Sequence, residues 1–515
     1  LNRFDFLSYA EQLKPTLLEK RVDPVAIVLL ERDPRSFQGW KKTRAEGIDS
    51  LSEMTFEKGD QIVLDFGDHH VGYLTMSVRA IGGIADAPLR MKLTFGEVPS
   101  EIGESFDDYN GWLSKSWLQE EWITVDVLPT TLHMPRRYSF RYLKIEVIDT
   151  SRKYKVAISE IYCTAVTSGD NSNISTVNAI SNELQDVDKV SIKTLQDCMQ
   201  YVFEDGPKRD RRLWIGDLRL QALANYCTFN NQDLVKRCLF LFAGLAFEDG
   251  QIPACVYEYP SPVADDIRLF DYSLFFTAIL YDYYKHTNDM DTLVDLWPTA
   301  IRQVEIASEQ LDDRGIVKDQ STWWCFIDWH PDLNKQAAAQ AVLLYCAKRA
   351  LWLANELKME HAIEYLHHII ARVTEGAMQY LWKSEIGFFV SGEHGQVSYA
   401  SQIWMVLAGV LDNKANEELL MRLLQKSPEI RPATPYMYHH LVDALFIAGK
   451  QELATAKIID YWGGMVKKGA DCFWEVYDPE DERLSPYGDS IINSYCHAWS
   501  CTPTYFIREY LAKLP

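Results

Sequence analysis

The sequence predicts a multidomain chain: an N-terminal antiparallel β-sandwich, residues 1–168, followed by an all-α (α/α)6 barrel, residues 169–515. Three observations predict it. The first third alternates apolar and polar residues at the two-residue period of strands. A polar Gly/Ser/Asn run at residues 166–175 then marks a joint. Past that joint, apolar residues recur every three or four positions, the period of helices packed on one face. With 515 residues, 47% of them hydrophobic, the chain has material for two large cores.

In the first part the strand signal falls on Leu74, Met76 and Val78, then on Leu89, Met91, Leu93 and Phe95. It resumes at Ile123, Val125 and Val127, and again at Leu143, Ile145 and Val147. Gly82-Gly83, Ala87-Pro88 and Leu128-Pro129 punctuate these runs, and no helical stretch intervenes, so the pairing is antiparallel. The first forty residues add a helix and an edge strand. In the second part, helical periods cover residues 182–201, 218–246, 271–286, 293–311, 335–358 and 361–382. They continue over 400–411, 416–425, 437–449, 453–465 and 494–511. There is no repeat of fixed length to suggest an open solenoid, and helical hairpins close into a barrel.

A formal charge of −21 sets the chain against nucleic acid and anionic membranes, which an acidic surface repels. No apolar run reaches the roughly 18 residues of a membrane span, and the start has no signal-like apolar core. Ten cysteines, none in the first 160 residues and none in a CxxC pair, read as buried free thiols. That usage fits a reducing, cytoplasmic home. His69-His70 falls in a turn, and His361 with His367-His368 marks a helix face without a carboxylate at ligand spacing. The expectation is therefore no metal and no cofactor.

The chemistry concentrates in loops. Residues 204–217 crowd acids, cations, an indole and two glycines where a helix or strand would show an apolar period. Burying such charges unpaired costs several kcal/mol each, so the segment presents carboxylates rather than filling a core. A second island, Phe473-Trp474-Glu475-Val476-Tyr477-Asp478, lies far downstream, and a third loop carries Trp323, Trp324, Asp328 and Trp329. Loops at one end of a hairpin barrel converge on its funnel. Two carboxylates beside indole faces are the equipment for cutting a glycosidic bond.

With these motifs laid out, the chain resembles the α-L-rhamnosidases of glycoside hydrolase family 78 over nearly its whole length. The family pattern Asp-Cys-Pro-x-Arg-Asp-Glu-x-x-Gly-Trp-x-Gly-Asp stands here as Asp205-Gly206-Pro207-Lys208-Arg209-Asp210-Arg211-Arg212-Leu213-Trp214-Ile215-Gly216-Asp217. Trp474-Glu475 resembles the Trp-Glu pair carrying the family's catalytic base, Asp328-Trp329 a Gly-Asp-Trp element, and His497 a sugar-binding histidine. Strand segments 63–73 and 95–97 resemble the family's sandwich. One departure stands out: the usual acid, the Glu after Arg-Asp, is missing, and the segment is one residue shorter. Counting back from Trp-x-Gly-Asp puts Asp210 in the acid's slot; counting forward puts Arg211 there, which cannot donate a proton at neutral pH.

The resemblance implies an inverting exo-α-L-rhamnosidase acting on small-molecule or oligosaccharide rhamnosides. Asp210 is then the general acid and Glu475 the general base, with carboxyls roughly 6.5–9.5 Å apart to admit the attacking water. Asp205, Arg209, Trp214, Asp217, Asp328, Trp329 and His497 are the implied sugar contacts, with Lys208 a rival to Arg209. For Asp210 to keep a proton, most of the guanidinium groups of Arg209, Arg211 and Arg212 must pair elsewhere. The alternatives are a hydrolase or lyase of another sugar on the same barrel, the runs at Tyr257, Tyr259, Tyr436 and Tyr438 leaving room for a lyase's base, or a relative that binds rhamnose without turnover. The close of the chain soon after the last helical pattern leads to the expectation of no C-terminal β domain and of a homodimer.

Overall fold

The computed structural model describes residues 3–178 and 180–512. Helix α1 (Arg3–Gln12) opens the chain, followed by β1 (Leu18–Val22), β2 (Ala26–Arg32), β3 (Trp40–Gly47), β4 (Gln61–Ile81) and β5 (Leu89–Gly96). After the short α2 (Pro99–Gly103) come β6 (Glu120–Val125), β7 (Thr130–His133), β8 (Tyr138–Asp149) and β9 (Lys155–Thr167). The strands pair antiparallel in the order β1-β9-β4-β8-β5-β6, with β2 and β7 also on β4 and β3 on β2. The 21-residue β4 serves both halves of the sandwich. Its register with β8 shifts between Asp65 and His70, where Gly67 takes φ +83°, and beyond that break it runs against β9.

The predicted alternation fills one core: Leu74, Met76, Val78, Leu89, Met91, Leu93, Phe95, Leu143, Ile145 and Val147 are buried together. Each such side chain contributes roughly 1.5–3 kcal/mol. Val127 departs from the expectation. Strand β6 ends at Val125, and Val127 lies exposed in the turn before Pro129.

The second domain builds α3 (Asn182–Cys198), α4 (Ile215–Tyr226), α5 (Gln232–Gly244), α6 (Phe270–Thr287), α7 (Met290–Ser308) and α8 (Gln336–Glu356). It continues with α9 (Glu360–Gly376), α10 (Tyr399–Leu407), α11 (Asn413–Lys426), α12 (Pro435–Ile447), α13 (Gln451–Lys467) and α14 (Pro503–Phe506). Helices α4, α6, α8, α10 and α12 pack in series as an inner ring, which the turn at Ala498–Ser500 and α14 close back onto α4. These inner helices are apolar on nearly every face, whereas outer ones such as α9 and α11 bury a single stripe. Side-chain caps start many of them: Ser181, Asn231, Asp289, Ser398, Asp412 and Thr434 each accept a backbone N–H of the first turn.

Two helical expectations are corrected. Residues 218–246 are two helices, because Asn230 takes a left-handed φ of 51° and Asn231 caps a new start. Residues 494–511 are continuously helical only from Pro503 to Leu511; residues 494–502 are loop with a single turn at Ala498–Ser500.

Ion pairs of buried and half-buried side chains stitch the two domains. Arg137 holds Glu204 through two bonds of 3.0 and 2.6 Å, Arg141 meets Asp471 at 2.6 Å, and Lys208 meets Glu101 at 2.5 Å. His69 lies inside β4 rather than in a turn, with Nδ1 2.6 Å from Asp197 and Nε2 3.0 Å from Glu97. Cys472 and Cys496 complete a buried group with His69 and Asp197, whose possible ligand atoms all lie within 4.8 Å. The His69–Asp197 contact has hydrogen-bond length and Lys193 takes both Asp197 oxygens at 2.7 Å, so the group works as a charge network between domains.

Candidate active site

The 204–217 loop joins α3 to α4 and folds around one carboxylate. Asp205 accepts the backbone N–H groups of Arg212 at 3.1 Å and Asp210 at 3.2 Å, drawing the loop into a tight coil. Gly206 is needed there, because a Cβ would stand 2.3 Å from the Arg209 carbonyl oxygen. The peptide between Arg209 and Asp210 is cis. The three arginines part company. Arg211 turns away to the carbonyls of Pro207 and Arg137, Arg212 stands between Asp210 at 4.0 Å and Asp265 at 3.8 Å, and Arg209 stays. Lys208 points into the domain interface and not toward the cavity, which leaves Arg209 as the buried cation of the site, with the more exposed Arg212 in the cavity wall.

Arg209 bridges the two islands. One terminal nitrogen lies 3.3 Å from Asp210 and the other 2.5 Å from Glu475, while Nε donates to the Ile492 carbonyl. Burial opposes its charge, but the Glu475 carboxylate outweighs that and holds its pKa well above the usual arginine value. Glu475 is otherwise fully engaged: Ser494 N–H donates at 2.9 Å, and the Tyr487 hydroxyl donates to the second oxygen.

A cavity of about 270 Å³ opens over this pair. Asp205, Asp217 and His497 line it with Arg209, Asp210 and Glu475, and Trp214 and Trp329 stand in its walls. His497 lies 3.5 Å from Asp217 and 4.0 Å from both Asp205 and Glu475. Burial and then the Arg209 charge depress its pKa to about 3, so the ring is neutral at ordinary pH. Burial and neighbouring carboxylate charge push Asp205 and Asp217 well above the usual carboxylate range. Asp217 Oδ1, His497 Nδ1 and Trp214 Nε1 are buried with no hydrogen-bond partner in the protein, a cost of about 1–3 kcal/mol each. A polyhydroxylated ring satisfies such groups.

One predicted contact does not join them. Asp328 accepts from Ala433 N–H and Thr434 Oγ1, both at 2.7 Å, and from Trp329 N–H at 2.9 Å, and it does not line the cavity. Burial raises its pKa to about 6 against those bonds, and its work is to brace Trp329 against the start of α12. Sequence reasoning also missed wall residues. Tyr272 from α6, Trp499 and Tyr487 line the cavity, and so do Trp112 and Leu113 from the sheet domain. Among the tyrosines of the lyase alternative, Tyr257, Tyr259, Tyr436 and Tyr438 all stand off the cavity wall.

Asp217 yields a stability prediction. Its unfolded side chain ionises near 3.8, while the folded one keeps its proton to higher pH. The folded state therefore loses stability as pH rises from about 4 through the folded pKa, and carries the full penalty above it. Asp217→Asn is expected to raise Tm at neutral pH while lowering activity, and the Tm gap should close toward pH 4. Thermal melts of both proteins from pH 4 to 8 check this; a gap that widens toward acid contradicts it.

Carboxylates gathered around one buried arginine, beneath indole walls at the mouth of a helical barrel, define a glycoside hydrolase. Residues 24–165 match the glycosyl hydrolase family 78 alpha-rhamnosidase N-terminal domain, and residues 172–511 the bacterial alpha-L-rhamnosidase 6 hairpin glycosidase domain. The chain belongs to glycoside hydrolase family 78, the α-L-rhamnosidases. A rhamnosidase from Klebsiella oxytoca with rhamnose bound is 47% identical over 99% of both chains, with a TM-score of 0.97. The family 78 rhamnosidase of Bacillus sp. GL1 is similar in fold at 21% identity and TM-score 0.74, over 91% of this chain and 49% of that one. The Streptomyces avermitilis α-L-rhamnosidase complexed with L-rhamnose shares the fold at 15% identity and TM-score 0.66, over 96% and 44%. No match was found among curated proteins. Among the described residues, no helix is long and apolar enough to cross a membrane.

Proposed function

We propose that the protein is an inverting exo-α-L-rhamnosidase in which Asp210 protonates the glycosidic oxygen and Glu475 deprotonates the attacking water. The observation that carries this is the Arg209 bridge. Its contacts of 3.3 and 2.5 Å, with the guanidinium fork between them, cap the separation of the nearest Asp210 and Glu475 oxygens at about 8 Å. That ceiling admits both the roughly 6.5–9.5 Å of an inverting pair and the roughly 5–5.5 Å of a retaining one, so the anomer released first decides between them. A cavity of about 270 Å³ falls just short of the ~300–1,000 Å³ of drug-sized sites, which favours one terminal sugar over an internal residue. The rhamnose bound to the Klebsiella relative supports the sugar's identity.

In this reading Asp205, Asp217, Arg209 and His497 take the sugar hydroxyls, and Trp214 and Trp329 flank the ring and its methyl group. A cytoplasmic home belongs to the same proposal, supported by ten free thiols. NMR of freshly released rhamnose from an aryl α-L-rhamnoside tests the mechanism. The β-anomer is expected first; the α-anomer first would mean retention and would remove Glu475 as a base. Rhamnose binding without any turnover would favour the non-catalytic alternative.

A further inference from the structure

The site residues are ordered by depth. The Glu475 side chain is 2% exposed, that of Asp210 18%, Trp323 46% and Trp112 67%. The proposed base lies at the floor, the acid higher, and two open indoles highest. A general acid faces the leaving-group oxygen, so whatever leaves must sit beside Asp210 in the cavity that those rings also line. The cavity holds little beyond one sugar ring, which puts the aglycone at the mouth.

The two indoles are held there. Trp112 comes from the sheet-domain segment between α2 and β6, donates its backbone N–H to the Tyr487 carbonyl at 3.0 Å, and gives its indole N–H to the Pro486 carbonyl at 3.1 Å. Its ring lies 5.6 Å from that of Tyr487, which lies 5.9 Å from Trp329, which stacks at 6.1 Å and 14° on Trp323. The four rings run continuously along the cavity, from one domain to the other. Large apolar groups left open on a protein surface mark binding sites more often than chance. With its N–H already given away, Trp112 offers a partner a ring face alone, which suits a flat π-system and leaves a second sugar's hydroxyls unmatched.

We propose that Trp112 and Trp323 form an aglycone subsite that selects rhamnosides of planar aromatic alcohols; the proposal rests on the α-L-rhamnosidase reading above. The experiment compares kcat/KM for 2-naphthyl and methyl α-L-rhamnoside in wild type, Trp112→Ala, Trp112→Phe and Trp323→Ala. Stacking of this kind is worth about a tenfold preference, so the naphthyl-to-methyl ratio is expected to fall about tenfold in each alanine variant. Trp112→Phe, which keeps a ring, should retain most of it. Ratios equal to wild type in both alanine variants would overturn the subsite while leaving the rhamnosidase reading intact. A wild type inert toward both substrates would overturn the rhamnosidase reading and the subsite with it.

Discussion

Glu475→Gln and Asp210→Asn are each expected to lower kcat by about 10²–10⁴-fold, the range a positioned general acid or base supplies. The two losses should differ in kind. In the proposed mechanism Asp210 assists departure of the leaving group, so its variant should lose least on rhamnosides of acidic phenols, which leave without a proton, and most on alkyl rhamnosides. In the same proposal Glu475 acts on water, and its variant should lose similar activity on all of them. Gln is close in shape and still accepts a hydrogen bond from Tyr487 or Arg209, so folding should survive. Steady-state kinetics over a series of leaving groups checks both. A loss below tenfold in either variant, or the opposite leaving-group pattern, would reverse or cancel the assignments.

Lys208→Met is expected to destabilise the protein by about 3–5 kcal/mol, the scale of removing one partner from a buried ion pair. Lys208 is buried with Nζ 2.5 Å from both Glu101 and the Asn493 carbonyl, and 3.7 Å from Glu97. Burial already pushes Glu101 up to about 6 despite the lysine charge. Without that charge, the carboxyl must stay protonated or remain ionised with its main cation gone. The defect should therefore ease as pH falls, because a protonated Glu101 needs no cation. Chemical denaturation at two pH values measures it. Adding Glu101→Gln to Lys208→Met should recover much of the loss, and a double variant no better than the single one would point to lost packing instead.

Much of the fold was open to sequence reasoning, because strand and helix periods are local properties. The alternation at Leu89, Met91, Leu93 and Phe95 needs no partner to be read, and each of those side chains is buried. The carboxylate islands were legible for a different reason: a dense charged segment in a chain this apolar has few structural uses. Asp328 shows the limit. Its motif marks it as a sugar contact, yet a carboxylate between three donors is indistinguishable in sequence from one facing a ligand. Trp112 shows another, since its anchor at Pro486 lies 374 residues away and no periodicity announces such a pairing. The division of labour among Arg209, Arg211 and Arg212 is likewise a matter of backbone direction, which composition does not encode.

The single arginine shared by Asp210 and Glu475 has a consequence for the whole catalytic cycle. In the proposed mechanism the acid is neutral and the base carries the negative charge before reaction; after it, the base is neutral and the acid carries the charge. The pair holds one negative charge throughout, and Arg209 matches it with one positive charge whichever oxygen bears it. Turnover thus moves a proton across the site without changing its electrical balance. Returning the enzyme to its starting form takes only a proton passed back through solvent, with no ion drawn in or expelled.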